Sequence, residues 1–104
     1  MTNLKQFYLS NNELNCLPNE IGKLLKLEKL FLNNNNLVSL PNEIGELANM
    51  KYLDLRWNYL TTLPEEIKNC KNLKYLSLTG NNFSEEEKEK IISWFEGTNC
   101  KIIW

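Results

Sequence analysis

The stretch "KYLDLRWN", residues 51–58, decides the fold. Leu53 and Leu55 alternate with Tyr52, Asp54 and Arg56. A period of two is the pattern of a strand with one buried face and one open face. The open face then carries an aromatic ring, an acid and a base, with Trp57 and Asn58 directly after them.

The same pattern recurs along the chain. "LKQFYLSNNEL" starts at Leu4, "LEKLFLNNNNL" at Leu27, "MKYLDLRWNYL" at Met50 and "LKYLSLTGNNF" at Leu73, each start 23 residues after the last. Between them lie "NCLPNEIGKLLK", "VSLPNEIGELAN" and "TTLPEEIKNCKN", with Leu-Pro and Glu-Ile at fixed offsets. A period of this length built on LxxLxLxxNxL is a repeat signature. No single unit can bury its apolar face alone, so the units must stack.

Each column then has a physical role. The apolar positions point into a shared core. Asn12, Asn35, Asn58 and Asn81 sit where the chain turns off the strand, and their amides can satisfy backbone groups there. Pro18, Pro41 and Pro64 fix φ at the start of an outer segment and suit a first helical turn. Ile21, Ile44 and Ile67, followed by Leu24, Leu47 and Cys70, continue inward. Cys70 therefore reads as a small buried hydrophobe rather than a nucleophile. Four units fill residues 1–83.

The tail departs from the period. In "SEEEKEKIISWFEG", Ser84 and Glu87 form a capping box and the acids fall in the first helical turn. Ile91, Ile92 and Phe95 give an apolar face, Gly97 a stop, and "CKIIW" a short strand. Residues 84–104 are expected to cap the solenoid within the same structural domain.

Composition narrows the chemistry. The chain has 104 residues and a net charge of -1, which suits one domain and gives no pull toward nucleic acid or an anionic membrane. It has no His, the commonest general acid-base and metal-ligating side chain. Its three cysteines are widely spaced and form no CxxC pair, which argues against a zinc site or a disulfide framework and suggests a reducing compartment. No signal peptide and no apolar run of membrane-spanning length are visible. These features point to a non-enzymatic, cytoplasmic chain with no cofactor, no metal and no membrane insertion, with a secreted or surface form left open.

With these residues in view, the chain resembles bacterial leucine-rich repeat proteins with 23-residue LPxEIG units. Its tail, "NCKII" included, is similar to the end unit of spirochaete members. The resemblance implies an α/β solenoid with a parallel concave sheet, short convex helical segments and a C-terminal helix-strand cap. It also implies a protein-interaction module. In bacteria such proteins are often linked with host contact.

The residues between the leucines face away from the core. The first open column is Gln6, Lys29, Tyr52 and Tyr75; the second Tyr8, Phe31, Asp54 and Ser77; the third Ser10, Asn33, Arg56 and Thr79. Asn11, Asn34, Trp57 and Gly80 lie beside them. Tyr8, Phe31, Tyr52, Tyr75 and Trp57 are expected to gather on one surface, ringed by Lys29, Asn33, Asp54 and Arg56. Tyr, Trp and Arg are the side chains most enriched at binding hot spots, so these nine residues form the candidate partner-binding set for a protein or peptide. The competing reading is structural: aromatic pairs stabilise sheets, and Asp54 can simply pair with Arg56. The first strand, expected over residues 6–10, is a sheet edge, and Phe7, Leu9, Leu14 and Ile21 lack a neighbour on one side. That edge suggests a second mode, a homodimer through the N-terminal repeat.

Overall fold

The computed structural model describes residues 3–104. Each unit begins with a three-residue strand: β1 Gln6–Tyr8, β2 Lys29–Phe31, β3 Tyr52–Asp54 and β4 Tyr75–Ser77. β5, Lys101–Ile103, completes a parallel sheet ordered β1-β2-β3-β4-β5. The register follows the repeat: Leu30 faces Leu53, and Leu53 faces Leu76. The parallel sheet forms the inner side of the stack, opposite the outer turns.

Pairing runs past the assigned strands. Leu9 N–H donates to the Phe31 carbonyl at 2.8 Å and Asn11 N–H to that of Asn33 at 3.1 Å. The expected strand over residues 6–10 is shortened to Gln6–Tyr8 because the chain swings into the left-handed region at Asn11, φ 59°.

The return path is tight. Pro18, Pro41 and Pro64, φ -69°, -71° and -67°, each precede a five-residue 3-10 helix: Asn19–Lys23, Asn42–Glu46 and Glu65–Asn69. The Pro carbonyl accepts from the Ile three residues later, as from Ile21 N–H at 3.1 Å. Pro therefore stands just outside the helical turn rather than within it. The turns stack closely. A Cβ on Gly45 would lie 2.4 Å from the Glu66 carbonyl oxygen, so only glycine fits there. The corresponding residue of the third turn is Lys68, beyond which no fourth 3-10 turn follows.

The leucine columns close the core. Leu27, Leu30, Leu32, Leu37, Ile44 and Leu47 have no exposed surface. The Asn column pins each turn to the unit before it. Asn58 Nδ2 donates to the carbonyls of Leu32 at 3.0 Å and Leu55 at 3.1 Å, while its Oδ1 accepts from Leu37 N–H at 3.0 Å. Asn35 and Asn81 repeat this bridge with the same partner positions. Among the described residues Asn12 bonds only within its own unit, to Leu9 and Ser10.

After the fourth unit the chain forms α1, Glu85–Trp94. Ser84 Oγ accepts from Glu87 N–H at 3.1 Å, which is one half of a capping box. The Glu87 carboxylate does not return the bond; it accepts from Thr62 and pairs with Lys90. Ile91 and Phe95, one turn apart, are buried, whereas Ile92 is 44% exposed and does not join their face. Gly97 takes φ 77° as the chain leaves the helix. Trp104 then packs edge-on against Phe83, and Thr79 Oγ1 donates to its carbonyl at 3.0 Å.

Candidate binding face

Because one face of the sheet is core, the other is the natural place for exposed aromatic side chains. The structure sorts them into two pairs, set by the register. Tyr8 and Phe31, opposite each other on β1 and β2, stack at 4.7 Å with an interplanar angle of 4°. Tyr52 and Tyr75, opposite each other on β3 and β4, stack at 4.8 Å and 11°. Such pairs strengthen a sheet by about 0.5–1.5 kcal/mol beyond area burial. Both still present surface, Tyr8 most of all at 65% exposed. Lys29 covers the second pair: its Nζ stands 5.1 Å from the centre of the Tyr52 ring.

The charged residues separate. Asp54, expected among the open-face contacts, is buried. Its Oδ1 accepts from the Arg56 backbone N–H at 3.1 Å and from Nε at 2.9 Å, and its Oδ2 accepts from Nη2 at 2.7 Å. The hydrogen bonds and charge of this carboxylate raise the Arg56 pKa, so the guanidinium stays protonated. Asn33, half-buried, accepts from the Ser10 hydroxyl at 2.6 Å.

Among the described residues Trp57 stacks on none of these four rings. It lies in the left-handed region, φ 58°, in the column where Asn11, Asn34 and Gly80 also have positive φ. That conformation suits Asn and Gly and is uncommon for a bulky side chain. The indole rests on Gly80, where an added Cβ would come within 2.2 Å of it, and it remains 55% exposed. Sequence reasoning placed this column beside the sheet but missed its backbone conformation; the Asn-Asn, Asn-Asn and Gly-Asn pairs at the strand exits carry that signal.

Among the described residues no group of three or more His, Cys, Asp or Glu is arranged to hold a metal ion. No described helix is long and apolar enough to cross a membrane. The cysteines are free thiols: Cys16 exposed, Cys70 buried and Cys100 half-buried.

A family model described as a leucine-rich repeat region matches residues 1–92. The chain belongs to the leucine-rich repeat family. Among solved structures, this leucine-rich repeat chain is similar to such a protein of Leptospira interrogans, at 44% identity and a TM-score of 0.93 over 97% of its length. It is also similar to the leucine-rich repeat ectodomain of the receptor kinase SOBIR1 from Arabidopsis thaliana, at 32% identity and a TM-score of 0.72 over 95% of its length. An internalin of Listeria monocytogenes shares the fold at 22% identity, with a TM-score of 0.81 over 98% of the chain. The chain spans 25%, 54% and 28% of those three chains respectively. No curated protein sequence matches it. Leucine-rich repeats generally mediate protein–protein interaction, and the family is typically non-enzymatic.

Proposed function

We propose that this chain binds a protein or peptide on its concave face, through Tyr8, Lys29, Phe31, Asn33, Tyr52, Arg56, Trp57 and Tyr75, with Asp54 holding Arg56 in place. The observation that carries the reading is the pair of ring stacks on the one sheet face that the core leaves open. The strained and exposed Trp57 supports it, since sheet stability alone gives no reason to hold an indole at positive φ. The test is to select peptides from a displayed random library against the native chain, then measure them against Phe31→Ser/Tyr52→Ser. We expect an unchanged circular dichroism spectrum and lost binding. Undiminished binding by a folded double variant would remove the face from the function.

A second reading rests on the end of the first described repeat. Phe7, Pro18, Ile21 and Leu24 line an apolar notch of about 330 Å³ beside the outer edge of β1. In this reading a second copy of the chain would cover these side chains as a two-fold dimer. Sedimentation across a wide concentration range, repeated with Phe7→Glu, tests it; a strict monomer at every concentration rules it out.

A further inference from the structure

The acids of this protein are unevenly divided between the strand segments and the rest of the chain. The strands and the residues leading into and out of them (5–10, 28–33, 51–56, 74–79 and 101–104) hold six of the 12 basic residues but only two of the 13 acids. Both acids are already engaged: Asp54 by Arg56, and Glu28 by Lys51 at 3.8 Å. The other acids lie elsewhere, with Glu20, Glu43, Glu46, Glu65 and Glu66 on the outer turns and four on α1. On the open columns themselves Lys29, Arg56 and, on β5, Lys101 stand against a single acid, Asp54, so that side is net positive in a chain of net charge -1.

One row of that face has a repeating order. The register aligns Lys29 with Tyr52, Tyr52 with Tyr75, and Tyr75 with Lys101. The row reads cation, ring, ring, cation. Neither Lys29 nor Lys101 has an acidic partner among the described residues. The two rings are stacked on each other, and Lys29 covers the outer face of Tyr52. What the pair presents outward is therefore ring edge and phenolic hydroxyl, the electropositive and hydrogen-bond-donating parts of Tyr. At the far end, Tyr75, Lys74, Asn99 and Lys101 line a shallow depression of about 410 Å³.

We propose that this row is a docking track for an acidic peptide in extended conformation, with carboxylates at positions i and i+4. The inference rests on the concave-face reading and names the chemistry of its partner. Three strand spacings separate Lys29 from Lys101, about 14 Å, and four residues of extended chain span about 13 Å. Side chains at i, i+2 and i+4 share one face of an extended peptide. The outer two meet Lys29 and Lys101 as charge-assisted pairs, and the middle one lies over the Tyr52–Tyr75 edges. Single-stranded nucleic acid fits less well, because its bases need open ring faces to stack on, and of the four faces of this pair two are turned to each other and a third to Lys29.

The test measures fluorescence anisotropy of labelled Glu-Ser-Ala-Ser-Glu, Lys-Ser-Ala-Ser-Lys and oligo-dT with the full chain. We expect binding of the Glu peptide alone. Adding about 1 M salt should abolish it, since the screening length then falls to about 3 Å. Lys29→Gln and Lys101→Gln should each weaken it by about tenfold, the loss of one charge-assisted contact. Lys68→Gln, on the outer side, should leave it unchanged. Binding of oligo-dT in preference to the peptide, no difference between the Glu and Lys peptides, or an equal effect of Lys68→Gln would each overturn the proposal. If library-selected peptides still lose binding in Phe31→Ser/Tyr52→Ser while the Glu peptide never binds, the acidic track is wrong and the concave-face reading stands.

Discussion

The thiol of Cys70 donates to the carbonyl oxygen of Ile44 at 3.3 Å, across 26 residues of sequence and one unit of the stack. Leu47 fills the equivalent slot one unit earlier and makes no such bond. Cys70 thus fills space like a hydrophobe and also donates a proton, which makes its pocket selective for the neutral thiol.

The prediction is a pH dependence. Burial pushes the Cys70 thiol up to about 11 from an ordinary value of 9.0. A group whose pKa is raised by folding contributes fully below its unfolded pKa, and the contribution is lost as pH rises through the folded value. Stability should therefore hold to about pH 9 and fall between about 9 and 11, by an amount on the order of 2 kcal/mol. Urea melts of the native chain and of Cys70→Ala at pH 8 and 10.5 check this; the variant should lose the Cys70 share of the decline. Native thiol labelling at pH 8 should reach Cys16 first and Cys70 only on unfolding.

A second prediction compares two members of one sequence column. Asn58→Leu should cost roughly 2–3 kcal/mol, because it strands the buried Leu37 N–H and leaves the Leu32 carbonyl with Asn35 as its remaining side-chain donor. Asn12→Leu should cost under about 1 kcal/mol, because Asn12 is exposed and its bonds can be replaced by water. Chemical denaturation of the two variants reads the difference. Equal losses would mean that the Asn column acts through local turn geometry and not through its bridge to the preceding unit.

A third prediction treats residues 84–104 as the cap of the solenoid. Ile91 and Phe95 belong to the core cluster, and Trp94, Ile102 and Trp104 pack against it. Deleting the segment should uncover Leu76 and Leu78, reduce solubility and lower the melting point by well over 10 °C, as expected for several kcal/mol of lost burial in a domain of this size. A truncated monomer with an unchanged melting point would show that the fourth unit closes the stack by itself.

Much of the fold was legible because one period orders it. Once Leu30, Leu53 and Leu76 share a column, the register of β2, β3 and β4 follows, and with it the side on which Phe31 and Tyr52 stand. Alternation assigns a side, however, and not an exposure. Asp54 is on the open side yet buried, because Arg56 two residues on reaches back over it. Trp57 follows the last alternating residue, where φ changes sign, so strand logic could not aim its ring. In α1 the apolar spacing marked three residues, but the helix docks along one turn, Ile91 to Phe95, and Ile92 lies about 100° around from Ile91.

The glycines of the outer turns set the shape of the inner face. Strand spacing in the sheet is fixed at about 4.8 Å by hydrogen bonding. The back of the molecule has no such ruler, and its spacing is whatever the stacked 3-10 turns require. With Gly45 against the Glu66 carbonyl, the turns approach nearly backbone to backbone, which keeps the outer spacing short. A methyl group there would act as a wedge on the outside of a bow. Since the strands cannot spread to match, the bow would bend further and its mouth would narrow. The width offered to a ligand in front of Tyr52 and Tyr75 is in this sense gauged by a missing side chain on the opposite surface.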